Sequence, residues 1–303
     1  MSATERLDAR ALACIAIALL TWSSAYAAIA YALAAFTPGE VAFARLAIAS
    51  LCFAGLLAVK RVPLPVPRDW PLLFVLGLVG LSTYHLCLNW AETRIASGTA
   101  AIIISLVPAA TAAVSALWLH ERLSLRTWIG LAIALAGTVL VVLASGQKVE
   151  ADPKALLVLV CVLASAIFFV GQKSLFARSS PLAVTACTFF SATLGCLPFA
   201  GGLPRALAAA PWPHVAALLW LGIAPSFVGY LAWNVAVHRA SATRVSSFIY
   251  LSPPIAIVIG WVWLGEAPGV RVLAGGAVVI GGVVLANTRR RPVAVPAART
   301  GSP

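Results

Sequence analysis

The sequence predicts an all-α integral membrane protein of ten transmembrane helices, built as two inverted repeats of five helices. First, 62% of its 303 residues are hydrophobic and only 10% are charged, against roughly 25% charged in soluble proteins. Second, about ten apolar stretches are each roughly 20 residues long, enough to cross a hydrocarbon core of about 30 Å. Third, matching residues recur at one constant spacing along the chain.

The apolar stretches place helices 1 to 10 at residues 11–33, 38–59, 70–91, 95–118, 124–144, 154–176, 181–200, 213–236, 241–264 and 268–288. The first stretch is retained as a helix because it exceeds the roughly 7 to 15 residues of a signal-peptide core. The predicted organisation is a cytoplasmic N-terminus (1–10), a first repeat (11–146), a periplasmic connection (147–153), a second repeat (154–288) and a basic, disordered cytoplasmic tail (289–303).

A shift of 145 residues superposes one half of the chain on the other. It matches Asn89 with Asn234, Pro108 with Pro253, Trp118 with Trp263, Glu121 with Glu266 and Gly137 with Gly282. Because each repeat holds an odd number of helices, the second copy enters the membrane from the opposite side. Two inverted copies are suited to alternating access, in which one central site faces each side of the membrane in turn.

The basic residues predict the orientation. With a cytoplasmic N-terminus, most of the 21 lysines and arginines fall in cytoplasmic segments, as the positive-inside rule requires. Both termini are then cytoplasmic, and the expected location is a cell inner membrane. The net charge of +12 is spread over short loops, so it indicates topology rather than nucleic-acid binding.

Short motifs in the first half resemble a known family. They are Thr21-Trp22-Ser23-Ser24 in helix 1, the segment 38–46 with Pro38 and Arg45 opening helix 2, and His120-Glu121-Arg122-Leu123 followed by Gly130 and Gly137. Together they resemble the EamA repeat of the drug/metabolite transporter superfamily, over roughly residues 11–288. Within that superfamily the chain is similar to ten-helix amino acid exporters of the YddG type, which export aromatic amino acids.

The resemblance implies a secondary transporter that exports amino acids, including aromatic and other neutral ones, or related small metabolites. An alternative is a transporter of drugs, sugars or nucleotide conjugates from another branch of the superfamily. An intramembrane enzyme or a scaffold is a further alternative, but the sequence lacks a paired acid and base or a metal-ligand cluster for the former.

Prolines interrupt two corresponding helices near their middles. Pro108 lies halfway along helix 4 and Pro253-Pro254 halfway along helix 9. Each proline removes a backbone donor and frees a carbonyl group. Glu121 and Glu266 follow thirteen residues later, at the helix ends. We assign these residues structural or gating roles; the alternative is an ordinary packing kink, since proline is common in membrane helices.

An aromatic pocket with hydroxyl and amide groups is predicted where the halves meet. Its residues come from five helices: Trp22, Ser23, Ser24, Tyr26, Tyr84, His85, Asn89, Phe168, Phe169, Tyr230, Trp233, Asn234, Ser246, Ser247 and Tyr250. Aromatic walls suit an apolar side chain, while the polar groups suit an ammonium and a carboxylate. The alternative for the aromatic residues is a place in the core or against lipid.

His85 and Arg45 are candidate functional residues that lie deep within predicted helices. His85 is a functional candidate because an intramembrane histidine needs a cavity or a partner; alternatively, it is a structural residue bonded to a neighbouring helix. Arg45 has three alternative roles. It binds a substrate carboxylate, or it pairs with a carbonyl or carboxylate of the protein, or it extends its charged end towards the membrane interface. We favour a structural or gating role for Arg45, because a buried arginine usually has a fixed partner.

The remaining chemistry is sparse. None of the nine acidic residues falls in the middle of a predicted helix, which leaves His85 as the only internal proton site and favours facilitated diffusion or exchange. The cysteines and histidines are dispersed and no phosphate-binding loop is present, so neither a metal nor a cofactor is predicted. The expected partners are a small-molecule substrate and the lipid bilayer. Glycines in helices 5 and 10 suit close helix packing or a homodimer.

Overall fold

The computed structural model describes residues 7–94, 100, 103–120, 123–144, 154–252, 255 and 269–287. Glu121, Pro253, Pro254 and Glu266 lie outside the described residues, so their predicted gating roles stay predictions. All regular secondary structure within the described residues is helical.

The helices follow the predicted order and are numbered α1 to α10. In the first half they are α1 (Ala9–Ala32), α2 (Pro38–Lys60), α3 (Pro67–Glu92), α4 (Val107–Trp118) and α5 (Leu125–Ala144). In the second half they are α6 (Ala155–Leu175), α7 (Pro181–Phe199), α8 (Trp212–Arg239), α9 (Ala242–Ser246, continued by a 3-10 turn at Ser247–Leu251) and α10 (Val270–Asn287). A short helix, Leu203–Ala209, connects α7 to α8.

Seven helices of the described chain are long and apolar enough to cross a membrane, and two shorter apolar helices accompany them. A membrane-spanning backbone must satisfy its hydrogen bonds internally, and a helix does so within one segment. The all-helical membrane fold predicted from the sequence is confirmed.

Corresponding helices begin in the same way in the two halves. Thr37 caps α2, accepting a hydrogen bond from the backbone N–H of Glu40, while the Glu40 carboxylate accepts one from the N–H of Thr37 at 2.8 Å. Ser180 caps α7 by accepting from the N–H of Ala183 at 3.2 Å. A proline follows each cap, where its missing N–H costs no helical hydrogen bond. The two caps therefore fix the starts of α2 and α7.

The packing of α5 against α10 shows how the halves are related. A Cβ atom placed on a glycine of one helix would meet the other helix at four pairs: Gly130 with Ala286, Ala134 with Gly282, Gly137 with Val279 and Val141 with Gly275. Residue numbers rise along α5 as they fall along α10, so the helices are antiparallel. Since α10 repeats α5, the two halves are inverted relative to each other.

The same relation holds for α2 and α7. The hydroxyls of Ser50 and Thr193 are 2.8 Å apart, and the rings of Phe53 and Phe189 are centred 5.1 Å apart. These contacts also run antiparallel between corresponding helices. Around them α1 packs against α8, and α6 packs against α3, so each of these two pairs joins one half to the other.

Two helices contain matching irregular segments that the sequence analysis did not predict. The chain is π-helical at Leu76–Ser82 in α3 and at Gly222–Gly229 in α8, a form often found at functional sites. A turn at residues 105–106 precedes α4, which begins at Val107 with Pro108 in its first turn.

Adjacent glycines in α10 provide a test of the α5–α10 packing. Gly282→Ala should lower the thermal unfolding temperature by several degrees, because its Cβ would press on the backbone of Ala134, and such overpacking costs about 1–3 kcal/mol. Gly281→Ala is the matched control, since its Cβ would enter open space. It should leave stability unchanged or raise it, because alanine favours helix by about 0.5–1 kcal/mol. Equal unfolding temperatures for the two variants would contradict the antiparallel packing.

Candidate functional site

Five rings from three helices form one cluster at the junction of the halves. This aromatic cluster consists of Trp22 of α1, Phe168 and Phe169 of α6, and Tyr230 and Trp233 of α8. The Trp22 ring is centred 4.8 Å from Trp233 and 5.1 Å from Tyr230, and Phe169 lies 5.1 Å from Trp233. The rings therefore contact one another and fill the space between α1, α6 and α8.

The irregular segments of α3 and α8 position these rings. The Trp22 indole Nε1 donates a hydrogen bond to the carbonyl of Pro225 at 3.0 Å, inside the π-helical segment of α8. A Cβ on Gly229 would lie 2.8 Å from that same nitrogen, and a Cβ on Gly80 would lie 2.8 Å from the Phe168 side chain. Glycine is required at both positions because each ring rests directly against backbone.

Ionisable and polar side chains gather beside Tyr230. This polar chamber consists of Tyr26 of α1, Arg45 of α2, and Tyr84, His85 and Glu92 of α3. The His85 ring is centred 5.0 Å from Tyr84 and 6.2 Å from Tyr230. Arg45 interacts electrostatically with Tyr84, Tyr230 and Glu92, and Tyr26 does so with Glu92 and Tyr230. Tyr230 therefore joins the polar chamber to the aromatic cluster.

Several buried polar atoms in these two groups have no hydrogen-bond partner among the described residues. They include both ring nitrogens of His85, the Oε1 atom of Glu92 and the indole nitrogen of Trp233. His85 is fully buried and neither of its ring nitrogens bonds a described residue, so the functional and the structural roles weighed from the sequence both stay predictions. Unpaired polar groups in an apolar interior are costly, and these atoms are available to a ligand or to water.

Glu92 is a functional candidate that sequence reasoning missed. Its position in the last turn of α3 suggested a membrane-edge residue, yet its carboxylate is turned into the protein interior. Glu92 therefore joins His85 as a candidate internal titratable group. The available signal was spacing: Glu92 lies three residues after Asn89 and seven after His85, so all three share one helix face.

Both predicted asparagines are held by fixed protein partners. Asn89 donates from Nδ2 to the carbonyl of Pro38 at 3.0 Å, which ties α3 to the start of α2. Asn234 accepts a hydrogen bond from Gln172 Nε2 and donates one to Thr185 Oγ1, each at 2.6 Å. These contacts connect α8 to α6 and α7. Both side chains hold helices in register beside the aromatic cluster.

The predicted serines and Tyr250 lie outside the aromatic cluster and the polar chamber. Ser23 donates to the carbonyl of Ser252 at 3.2 Å, and Ser24 accepts from the indole of Trp220 at 3.0 Å. Ser246 and Ser247 donate to carbonyls of their own helix. Tyr250 is buried in a separate core between α4, α5 and α10, where its hydroxyl has no partner within the described chain. The structure thus brings Trp22, Tyr26, Tyr84 and His85 together with the α6 and α8 rings, but separates them from the α9 residues.

Ion pairs connect the halves at the face where both ends of the described chain lie, here called the terminal face. Arg239 pairs with Asp8, and Arg178 pairs with Asp69 at 2.6 Å. The Arg239 guanidinium and the backbone N–H of Ala11 hold the pKa of Asp8 at about 2, below its usual 3.8. This carboxylate stays ionised at physiological pH, and its contribution to stability is lost as the pH falls from 3.8 towards 2, because the unfolded chain takes up the proton first. Arg94, the counterpart of Arg239 at the opposite face, is exposed and forms no ion pair with any described residue.

No group of histidine, cysteine and acidic side chains within the described ranges is arranged to hold a metal ion. The arrangement places tilted aromatic rings beside charged and hydrogen-bonding groups, a combination that can bind a small amphipathic molecule.

The sequence model of the EamA-like transporter family matches residues 9–143 and 153–288. The chain belongs to the EamA-like transporter family. It is therefore a multi-pass membrane transporter rather than an enzyme, and each match covers one of its two repeats.

Curated relatives carry transporter names. A protein of Streptantibioticus cattleyicolor named "Probable terminal-alkyne amino-acid exporter" is 32% identical over 297 residues, covering 96% of this chain and 99% of that protein. The "Probable amino-acid metabolite efflux pump" of Salmonella typhimurium is 25% identical over 200 residues, covering 62% of this chain and 67% of that protein. A solved crystal structure superposes with a TM-score of 0.72 at 23% identity, covering 91% of this chain and 96% of that chain, and so shares the fold.

The separation of Tyr250 from the aromatic cluster predicts a split among variants of this EamA transporter. Trp22→Ala and His85→Ala should each reduce transport at least about tenfold, since they remove a ring or an unpaired polar group from the site. Tyr250→Phe should keep most of the activity, because it removes a hydroxyl that binds no described residue. Initial rates in proteoliposomes with equal amounts of folded protein measure the split. Loss of transport in Tyr250→Phe with wild-type rates in the other two would reject this site.

Proposed function

We propose that this EamA transporter exports amino acids, aromatic and other neutral ones among them, or related small metabolites, across a cell inner membrane by alternating access. The observation that carries the proposal is the aromatic cluster joined through Tyr230 to a polar chamber with unpaired buried atoms. The amino-acid names of two relatives support the substrate class.

The aromatic cluster and the polar chamber suit the two ends of such a substrate. Stacked and tilted rings favour an apolar or aromatic side chain. The polar chamber contains a guanidinium, a carboxylate, an imidazole and tyrosine hydroxyls, which suit a zwitterionic ammonium and carboxylate better than a single permanent charge. An uncharged apolar solute would leave those groups unpaired, which disfavours its binding.

The inverted halves support alternating access. Ion pairs join the halves at the terminal face, while Arg94 at the opposite face is exposed. Both side chains of the Arg239–Asp8 pair remain partly solvent-exposed. Exposed ion pairs typically contribute under about 1 kcal/mol. Such contacts can bias the protein towards one state without preventing the exchange between states.

The surplus of basic residues supports a cytoplasmic position for the terminal face, with both termini cytoplasmic. We assign the energetics to facilitated diffusion or exchange.

Counterflow in proteoliposomes tests the proposal. Vesicles loaded with unlabelled phenylalanine or leucine should accumulate the labelled amino acid transiently, because exchange through one site needs no external energy. Protein-free vesicles and vesicles containing Trp22→Ala are the controls. Absence of counterflow for every amino acid would reject the amino-acid assignment, and counterflow of a sugar or drug panel instead would place the chain in another branch. An imposed pH gradient should change the rate little; strong proton-driven accumulation would contradict exchange.

A further inference from the structure

Lys173 binds the C-terminal end of α8 at the terminal face. It lies in the last turn of α6, and its Nζ atom donates to the carbonyls of Val237 and Ala240, the latter at 2.6 Å. The carbonyl of His238 is farther away, at 3.4 Å. The last carbonyls of a helix lack donors within the helix and carry the negative end of its dipole. The ammonium of Lys173 therefore stabilises this helix end and fastens α8 to α6.

Lys154 makes the corresponding contact at the opposite face. It directly precedes α6. Its Nζ atom donates to the hydroxyl of Thr93 at 2.9 Å and to the carbonyl of Trp90 at 3.5 Å, both at the C-terminal end of α3. These contacts are exposed to solvent, whereas those of Lys173 with Val237 and Ala240 are partly buried. The helix α6 thus fastens the end of one other helix at each face.

The two fastened helix ends are equivalent in the repeat. The 145-residue shift that relates the halves places Thr93 on His238 and Arg94 on Arg239. Because the halves are inverted, the same helix end lies at the opposite face in α3 and at the terminal face in α8. One helix of the second half therefore carries a lysine for each of the two inverted copies.

Both fastened segments also carry residues of the candidate site. The segment Thr83–Glu92 of α3 contains Tyr84 and His85 near its start, and the segment Tyr230–Arg239 of α8 begins with a ring of the aromatic cluster. Each segment follows a π-helical stretch and ends at its lysine contact. A lysine that holds the end of such a segment therefore also holds one wall of the site.

The two faces are not fastened equally. At the terminal face the end of α8 is held by Lys173 and, through Arg239, by an ion pair with Asp8 of α1. At the opposite face Arg94, the counterpart of Arg239, forms no ion pair with a described residue, and Lys154 makes only solvent-exposed contacts with α3. The terminal face is therefore the more firmly closed of the two.

We propose that Lys173 and Lys154 are paired latches of the transport cycle, one for each face of the membrane. Lys173 holds the terminal face closed by fastening α8, and Lys154 holds the opposite face closed by fastening α3 in the alternate state. This inference rests on the proposed alternating access. It assigns to α6, beyond its aromatic rings, the control of which face is open.

Two pairs of spin labels in a cysteine-free protein measure the opening of each face. Labels at Arg10 of α1 and Ala177 after α6 report on the terminal face, where α1 is tied to α8 by an ion pair. Labels at Ala34 and Leu156 report on the opposite face. All four positions are exposed, and double electron–electron resonance gives the distribution of both distances without substrate.

Lysine-to-methionine variants test the latches, because methionine keeps the length of the side chain and has no N–H donor. Lys173→Met should raise the population of the longer distance at the terminal face at least about twofold, and Lys154→Met should raise it as much at the opposite face. Each variant should also slow amino acid exchange, since one of the two closed states is weakened. Opposite shifts from two lysines of one helix are specific, because a merely structural role would broaden both distances together.

Controls separate the latches from a general effect of removing charge. Lys60→Met removes an exposed lysine from the last turn of α2 at the terminal face and should leave both distance distributions unchanged. Lys173→Arg keeps a cationic donor for the carbonyls of α8 and should shift the terminal-face distance less than Lys173→Met. Thermal unfolding and gel filtration verify that each variant is folded; if Lys173→Met is not, Lys154→Met and Lys173→Arg decide.

The outcomes distinguish the latches from the proposed function. If wild-type protein exchanges amino acids but neither methionine variant shifts a distance, or both variants open the same face, the latch assignment is overturned and the proposed function stands. If no amino acid is exchanged, the proposed function itself fails, and the distances alone decide whether the two lysines hold opposite faces closed.

Discussion

Close antiparallel packing between corresponding helices is the constraint on which the rest of the structure depends. Lipid tails are as apolar as the side chains, so moving an apolar side chain from lipid to a helix interface gains little free energy. Membrane helices therefore associate through close packing, which small residues permit. Gly130, Gly137, Gly275 and Gly282 provide that contact between α5 and α10. Besides α5 against α10 and α2 against α7, α1 packs against α8 and α3 against α6, so these contacts also join the two halves. The aromatic cluster lies among α1, α6 and α8.

The irregular segments of α3 and α8 position the rings of this cluster. A π-helical segment changes which carbonyl groups accept hydrogen bonds within the helix. Pro225 has no backbone N–H, which leaves a further carbonyl without its helical donor. The Pro225 carbonyl then binds the Trp22 indole, and Gly80 and Gly229 let Phe168 and Trp22 lie against backbone. The polar chamber forms on the other side of Tyr230, where Arg45 donates from Nε to Ser226, and where both ring nitrogens of His85 and the Oε1 atom of Glu92 are buried without a partner among the described residues.

The sequence predicts the fold well because hydropathy and a constant 145-residue shift are both properties of the linear chain. The aromatic residues predicted on α1, α6 and α8 do pack together in the structure, and their role in binding substrate stays a prediction. The sequence does not predict helix rotation or helix irregularity, which arise from contacts between helices. For that reason Tyr250 lies in a separate core, Glu92 points inward from a helix end, and the π-helical segments were not expected.

The central claim is that two inverted halves move around a site they share, and paired distances at both faces test it most directly. Spin labels in a cysteine-free background at Arg10 and Ala177 report on the terminal face, and labels at Ala34 and Leu156 report on the opposite face; all four positions are exposed. On addition of a transported amino acid, double electron–electron resonance should show one distance increasing as the other decreases. Distances that change in the same direction, or that do not change when a transported amino acid is added, would contradict the account.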